Sequence, residues 1–113
     1  MAEARLAAGV EVSALLRRAE SIGGFGTVLH KGDAERGALL ILLAERGVPA
    51  AFLERMLQRD GSYAWELNSG VTEGPDSSTQ YVARRQRTDP DCWVIELDVP
   101  SAERFIAEMT GSP

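Results

Sequence analysis

Apolar residues recur at helical spacing near the start of the chain, at Val12, Leu15, Leu16, Ala19 and Ile22. Steps of three and four residues place such side chains on one face of an α-helix, so the pattern predicts an amphipathic helix. The two glycines that follow accept the left-handed conformation that closes a helix end. The Ala-rich stretch before the pattern predicts a flexible N-terminus over residues 1–10.

The middle of the chain has the composition of β-strands. Residues 25–31 are rich in β-formers and predict a strand. Residues 39–43 are continuously apolar. Such a run is typical of a central strand that is covered on both faces, although a short buried helix fits it as well. Gly47 and Pro49 end this run, because both residues break regular structure.

The dipeptide Asp60-Gly61 stands between two strand-like runs, residues 50–59 and 62–68. Both of its residues accept the positive φ of a two-residue type I′ turn, so the segment predicts a β-hairpin. That turn places Arg55 opposite Glu66. It also collects apolar and aromatic residues on one face of the hairpin, namely Phe52, Met56, Tyr63, Trp65 and Leu67.

The last third of the chain predicts two helices around one strand. Ser77 with Gln80 matches a capping box, which opens a helix through about Arg87. Asp89-Pro90 ends that helix, because the residue before proline avoids the helical conformation. Residues 91–98 alternate as a strand with Cys92 and Val94 on one face, and Trp93, Ile95 and Leu97 on the other. Ser101 then caps the last helix.

The predicted elements follow the order α-β-β-β-β-α-β-α. This order predicts an α+β fold, with a mostly antiparallel sheet of about five strands and about three packed helices. Since 113 residues is close to the commonest domain size, we expect a single domain over residues 11–111.

Charge and composition indicate the cellular compartment and disfavour some classes of partner. Seventeen acidic residues against twelve basic ones give a net charge of −5, which disfavours nucleic acid as a partner. The longest apolar run, residues 38–44, is far shorter than the ~20 residues that cross a bilayer. The start of the chain lacks the order of a signal peptide. With a single cysteine, Cys92, these features predict a cytoplasmic protein without membrane contact.

The residues that carry most enzyme chemistry are sparse and scattered. The glycines at 23–26 follow a predicted helix, whereas phosphate loops open one, so they indicate a helix end. His30 is the only histidine and Cys92 the only cysteine, and neither has an evident catalytic partner. The carboxylates that could hold a divalent cation are spaced as expected for a solvated turn: Asp89, Asp91, Glu96 and Asp98. We therefore predict no cofactor and no metal site.

The densest positive charge lies on the predicted helix of residues 77–87, at Arg84, Arg85 and Arg87. Arg84 and Arg87 share a helix face, and Arg85 lies about 100° around from Arg84. The three could bind an anion or an acidic partner. Alternatively, they pair within the molecule with Asp89, Asp91 or Glu96.

Three segments resemble one family, namely residues 12–42, the hairpin DGSYAWEL (60–67) and ARRQRTDPDCWVIELD (83–98). They are similar to the mainly alphaproteobacterial domain of unknown function 1491. The similarity is most specific at Arg85, Asp89, Pro90, Asp91, Trp93 and Val94. It implies a small bacterial cytosolic α+β protein and brings no activity, cofactor or catalytic residue.

Two classes of function fit these residues. The first is a non-catalytic binding or interaction module with a protein partner or a second copy of itself. The second is an enzyme that acts on a small anionic substrate. In either case the predicted binding residues are Arg84, Arg85, Arg87, Asp89, Asp91 and Trp93. In the first class, Arg85 bonds to the Asp-Pro-Asp turn, and Arg84 and Arg87 stay free for the partner.

Overall fold

The computed structural model describes residues 6–70, 73–74 and 76–111. Its elements, in chain order, are α1 (Ala8–Ser21), β1 (Phe25–His30), β2 (Leu39–Glu45), β3 (Val48–Leu57), β4 (Tyr63–Asn68), α2 (Ser77–Thr88), β5 (Trp93–Asp98) and α3 (Ala102–Thr110). This is the predicted order of elements, and the α+β class is confirmed.

The five strands form one mixed sheet in the order β1-β5-β2-β3-β4. Strand β5 lies between β1 and β2 and runs parallel to β2, while the other three pairings are antiparallel. The mostly antiparallel sheet is therefore confirmed, with one parallel pair. That pair exists because the chain returns from β4 to the middle of the sheet through α2, a crossover long enough to join parallel strands.

Strand β2 is the centre of the core. Its residues Leu39–Ala44 are all buried. Leu39, Ile41 and Leu43 face α1 and α3, on what we call the front face of the sheet. Leu40 and Leu42 face α2, on the back face. The continuous apolar run is thus a strand covered on both sides, and the alternative of a buried helix is wrong.

The alternation predicted for β5 is confirmed. Trp93, Ile95 and Leu97 pack on the front face, whereas Cys92 and Val94 pack on the back face. Trp93 is therefore separated by the sheet from α2 and its arginines.

Helix α1 begins at Ala8, four residues before the predicted apolar pattern, and Ala8 is buried. Part of the predicted flexible start, residues 1–5, lies outside the described residues. The helix ends at the glycine pair as predicted, since Gly23 has φ +91° and the N–H of Gly24 donates to the carbonyl of Ala19 at 2.8 Å. A Cβ on Gly24 would lie 2.1 Å from the carbonyl oxygen of Asp98, so only glycine lets the chain pass there.

The register predicted for the β3–β4 hairpin is wrong by one residue. Arg55 pairs with Trp65 and not with Glu66, and the N–H of Gln58 donates to the carbonyl of Ser62 at 2.8 Å. The loop therefore has three residues, with positive φ (+85°) at Gly61. This is the geometry of a tight turn followed by a glycine bulge.

The shift of register moves side chains between faces, because successive residues of a strand point to opposite sides. Phe52 lies on the back face against Tyr81, with ring centroids 4.7 Å apart. Trp65 packs with the front core. The predicted single cluster of Phe52 and Met56 with the β4 aromatics is thus divided by the sheet.

The break predicted at Gly47 and Pro49 is a tight turn between β2 and β3, although Pro49 itself lies inside β3. Arg46 and Gly47 both have positive φ, +53° and +81°. Their N–H groups donate to the Asp98 carboxylate at 3.0 and 2.7 Å. This tight turn lets β3 begin at Val48, earlier than predicted, with Pro49 beside a register shift where a missing N–H is tolerated.

The two predicted helix caps have different outcomes. The Ser101 hydroxyl accepts a hydrogen bond from the N–H of Arg104 at 3.3 Å, so the cap of α3 is confirmed. The capping box of α2 is wrong, because Asp76 occupies the cap position without a side-chain bond to the helix. Ser77 instead donates to the carbonyl of Gly74 at 3.3 Å.

Candidate functional site

Helix α2 lies on the back face of the sheet and carries the arginines singled out from the sequence. Tyr81 and Val82 of this helix pack against the cluster of Leu40, Leu42 and Phe52. No residue of α2 is fully buried. The helix therefore contacts the sheet through one narrow face, and its other faces are exposed to solvent.

Arg85 anchors this helix to β3. Its guanidinium donates to Glu54 Oε1 at 2.7 Å and to the Tyr81 hydroxyl at 3.3 Å, and the Tyr81 hydroxyl donates to the same Glu54 oxygen. The side chains of Arg85 and Glu54 are 25% and 15% exposed, so the pair is shielded from much of the solvent. The predicted bond from Arg85 to the Asp-Pro-Asp turn is therefore wrong, because Glu54 takes that place.

Cys92 is the buried end of the same cluster. A guanidinium nitrogen of Arg85 lies 3.9 Å from its Sγ, and the thiol donates to the carbonyl of Trp93 at 3.3 Å. Burial raises the pKa of the Cys92 thiol, and the nearby Arg85 only partly opposes that effect. A protonated, buried thiol is a poor nucleophile, which favours a structural role for Cys92.

Backbone hydrogen bonds hold the Asp-Pro-Asp turn. The N–H of Cys92 donates to the carbonyl of Asp89 at 3.0 Å, which closes the turn on itself. The N–H of Asp33 donates to the carbonyl of Asp91 at 2.9 Å, and a ring nitrogen of His30 lies 3.0 Å from the carbonyl of Pro90. The turn is thus tied to the segment between β1 and β2.

Trp93 has a structural position. It is 6% exposed, and its Nε1–H donates to the carbonyl of Asp33 at 2.7 Å. The ring lies in the front core, on the other side of the sheet from α2. Trp93 therefore does not join a common surface with Arg84 and Arg87.

Arg84 and Arg87 are both exposed on the solvent side of α2, one turn apart. The guanidinium of Arg84 lies 5.8 Å from the centre of the Tyr81 ring. Among the described residues, neither arginine forms an ion pair with a carboxylate. We call these two residues the arginine pair.

The carboxylates considered for a cation do not converge. Within the described ranges, no group of three or more His, Cys, Asp or Glu side chains is placed to hold a metal ion. The carboxylate of Asp98 accepts the two N–H groups of the β2–β3 turn, which gives it a structural role.

Glu54 is the residue of this region that the sequence did not single out. The one sequence feature that points to it is the spacing of its two partners. Tyr81 and Arg85 are four residues apart, so they share a helix face and can meet one acidic residue of the sheet. Because side chains alternate along a strand, Glu54 falls on the same side of β3 as Phe52 and Met56, under that helix face.

Comparisons with known proteins show relatives of this chain. The family profile described as "Protein of unknown function (DUF1491)" matches residues 6–107. A crystal structure of a DUF1491 family protein from Caulobacter crescentus CB15 is similar, with 36% identity, a TM-score of 0.76, and coverage of 86% of this chain and 91% of that one. An NMR structure of a DUF1491 family protein from the same organism is also similar. It has 34% identity and a TM-score of 0.73, and the match covers 86% of this chain and 89% of that one.

A protein from A. tumefaciens with a known solution structure is also similar, with 26% identity and a TM-score of 0.68, covering 87% of this chain and 89% of that one. No curated protein matches the chain. In the part of the chain that the structure describes, no helix has the length and apolar character needed to span a membrane.

Proposed function

The chain belongs to the DUF1491 family, and from the geometry above we propose that it is a non-catalytic interaction module that binds an acidic partner protein through the arginine pair. One observation carries this proposal: the three arginines of α2 have divided roles. Arg85 is bonded to Glu54 and Tyr81 beneath the helix. Arg84 and Arg87 are exposed above it.

The anchor below the helix supports binding above it. Because Arg85, Tyr81 and Glu54 hold α2 against β3, the arginine pair is carried on a fixed element. A fixed helix loses less backbone entropy on binding than a mobile one. Guanidinium groups one turn apart suit the carboxylates of a partner surface, since each can form two parallel hydrogen bonds.

Overall charge favours an acidic protein surface over nucleic acid as the partner. The chain carries a net charge of −5, so a long polyanion that extends beyond the arginine pair meets repulsion from the rest of the molecule. A short acidic segment that contacts only α2 avoids most of this repulsion.

The alternative of an enzyme for a small anionic substrate has weaker support. It needs the α2 arginines as substrate ligands and a base beside them, whereas Arg85 is engaged by Glu54. The Cys92 thiol is buried beneath it, and the His30 ring contacts the carbonyl of Pro90. A reduced, buried lone cysteine also agrees with a bacterial cytoplasmic protein, which we include in the proposal.

A titration with a short polyglutamate peptide tests the arginine pair. We expect the amide signals of α2 to shift, and the double variant Arg84→Ala/Arg87→Ala to bind roughly tenfold more weakly, since two exposed ion pairs contribute about 1 kcal/mol or slightly more. The matched control is Arg17→Ala/Arg36→Ala, which removes the same charge from exposed positions elsewhere.

Equal weakening by both double variants would mean that the peptide senses only overall charge, and would refute the proposed surface. Turnover of a small anionic metabolite by the wild type, lost in Arg85→Ala without loss of folding, would favour the enzyme instead.

A further inference from the structure

A groove of about 530 Å³ runs along the far edge of the sheet, on the front face, between β4 and α3. Its walls include Trp65 and Leu67 from the strand, and Ile106 and Ala107 from the helix. This groove lies on the other side of the sheet from the arginine pair, so it is a separate surface.

Among the described residues, strand β4 is an edge with no strand on its outer side. It is the last strand of the sheet, and it pairs with β3 along all six residues without a register shift. The opposite edge strand, β1, carries an irregularity between Val28 and His30. Since bulges protect an edge from further pairing, β4 is the edge better suited to accept another strand.

The backbone of β4 has groups directed outward beside the groove. Gln58 and Ser62 are hydrogen-bonded to each other. In an antiparallel pair, hydrogen-bonded and non-bonded positions alternate, so Trp65 and Leu67 direct their N–H and C=O groups away from β3. The side chains of these same two residues line the groove. A strand that pairs with this edge therefore also lies over the groove.

The edge is apolar where the groove opens. Leu57 and Tyr63 face each other across the hairpin, and they are 63% and 45% exposed. Leu67 is 48% exposed on the same face of the sheet. Contiguous exposed apolar side chains of this kind mark interaction sites on soluble proteins.

The charge around the groove is acidic. Two exposed carboxylates flank the groove: Glu103 lies on α3, and Glu66 lies on β4 with its side chain on the back face, where Gln58 donates to it at 3.0 Å. Arg55, which also lies on this face, is stacked on Trp65 with 4.7 Å between its guanidinium carbon and the ring centre, and it is paired with Glu11. The groove therefore suits an occupant that is apolar on one side and cationic at its flanks.

We propose that β4 accepts an extended, cationic segment of another protein as a sixth strand. Its alternate side chains enter the groove beside Leu67 and Ile106. Lys or Arg residues at the intervening and flanking positions meet Glu66 and Glu103. Strand addition of this kind obtains affinity from main-chain hydrogen bonds and specificity from every second side chain.

Selection from a displayed library of random linear peptides tests this proposal. We expect the wild-type protein to enrich peptides with alternating apolar residues and with Lys or Arg, and without central proline. A synthetic peptide of the enriched type should shift the amide signals of Trp65, Leu67 and Ile106, and should show inter-strand contacts with β4. Binding should weaken about tenfold in Leu67→Lys, because a charge at the edge blocks pairing.

Leu29→Lys is the matched control, since Leu29 is 43% exposed on the other edge strand. It should leave the affinity within about twofold. Glu103→Lys should weaken binding of the cationic peptide but not of an apolar version of the same sequence. Enrichment of acidic peptides, or signals that shift on β1 or α2, would overturn the proposal. So would a wild-type dimer that Leu67→Lys dissociates, because a second copy would then occupy the edge.

Discussion

Arg85 of α2 and Glu54 of β3 are 31 positions apart in the chain, and their side chains meet at 2.7 Å beneath the helix. The Tyr81 hydroxyl donates to the same oxygen of Glu54. Because α2 has no fully buried residue, this polar contact and the packing of Tyr81 on Phe52 together hold the helix on the sheet.

Removal of Arg85 should destabilise the protein. Arg85→Ala leaves the Glu54 carboxylate partly buried with one donor fewer, which costs about 1–3 kcal/mol of unfolding free energy. Arg84→Ala is the control on the same helix, and it should change stability by less than about 0.5 kcal/mol, because Arg84 is exposed. Urea denaturation measures both.

A double-mutant cycle with Glu54→Ala isolates the contact itself. We expect a coupling energy of about 1 kcal/mol or more between positions 54 and 85. Additive effects of the two substitutions would show that the helix is held by packing alone.

Gly61 should resist substitution although nothing crowds it. In the described part of the chain, no atom lies within 4 Å of a Cβ placed there, yet its φ is +85°. Gly61→Ala should therefore cost about 1 kcal/mol through backbone strain alone. Gly70 is equally uncrowded and lacks a positive φ, so Gly70→Ala should be near neutral. If the two variants have equal stability, the hairpin loop does not have the bulged geometry.

Cys92 should react only when the protein unfolds. The side chain is fully buried, and burial raises the pKa of its thiol, so thiolate is scarce near neutral pH. Alkylation by a maleimide should be slow in the native protein and fast in denaturant. Reductant should leave thermal stability unchanged. Rapid alkylation in buffer would indicate that α2 lifts from the sheet.

Asp33 should contribute a pH-dependent part of stability. Its carboxylate accepts the N–H groups of Arg36 and Glu35 at 2.8 and 3.0 Å, and these bonds lower its pKa below the usual 3.8. A lowered pKa in the folded state means that the contribution is complete above the unfolded pKa. It is lost as the pH falls through the folded pKa.

Asp33→Asn keeps an acceptor oxygen for the turn but does not titrate, so it is the reference for this effect. The stability advantage of the wild type over this variant should shrink as the pH falls below about 3.8. Thermal unfolding across acidic pH measures the difference. A difference in stability between wild type and Asp33→Asn that stays constant with pH would contradict the assigned role of the carboxylate.

Much of the fold could be predicted from local patterns. The apolar run at residues 39–43 predicts a strand covered on both faces, and the period of two over residues 93–97 predicts which side chains of β5 share a face. The glycines at 23 and 24 predict the end of α1. Each of these features depends on residues that are neighbours along the chain, so each can be predicted from the sequence alone.

The hairpin register depended on more than the local sequence. Asp60-Gly61 fits both a two-residue turn with positive φ at both positions and a three-residue loop with positive φ at Gly61 alone. The two solutions differ by one residue, which reverses the face of every β4 partner on β3. In the structure, the partly buried Trp65 packs on the front core beside α3 while Phe52 is buried under α2, so each face of the hairpin packs an aromatic ring against the core.

For the arginines of α2, too, local sequence determined one part of the arrangement and the tertiary structure another. The sequence by itself determined that Arg84 and Arg87 share a helix face, because helical spacing fixes the angle between them. It suggested nearby Asp89 and Asp91 as partners for Arg85. Only the tertiary structure brought Glu54 beneath α2, since that contact requires the crossover that lays the helix over the back face of β3. An ion pair between distant segments depends on how the strands align, and no local spacing encodes that alignment.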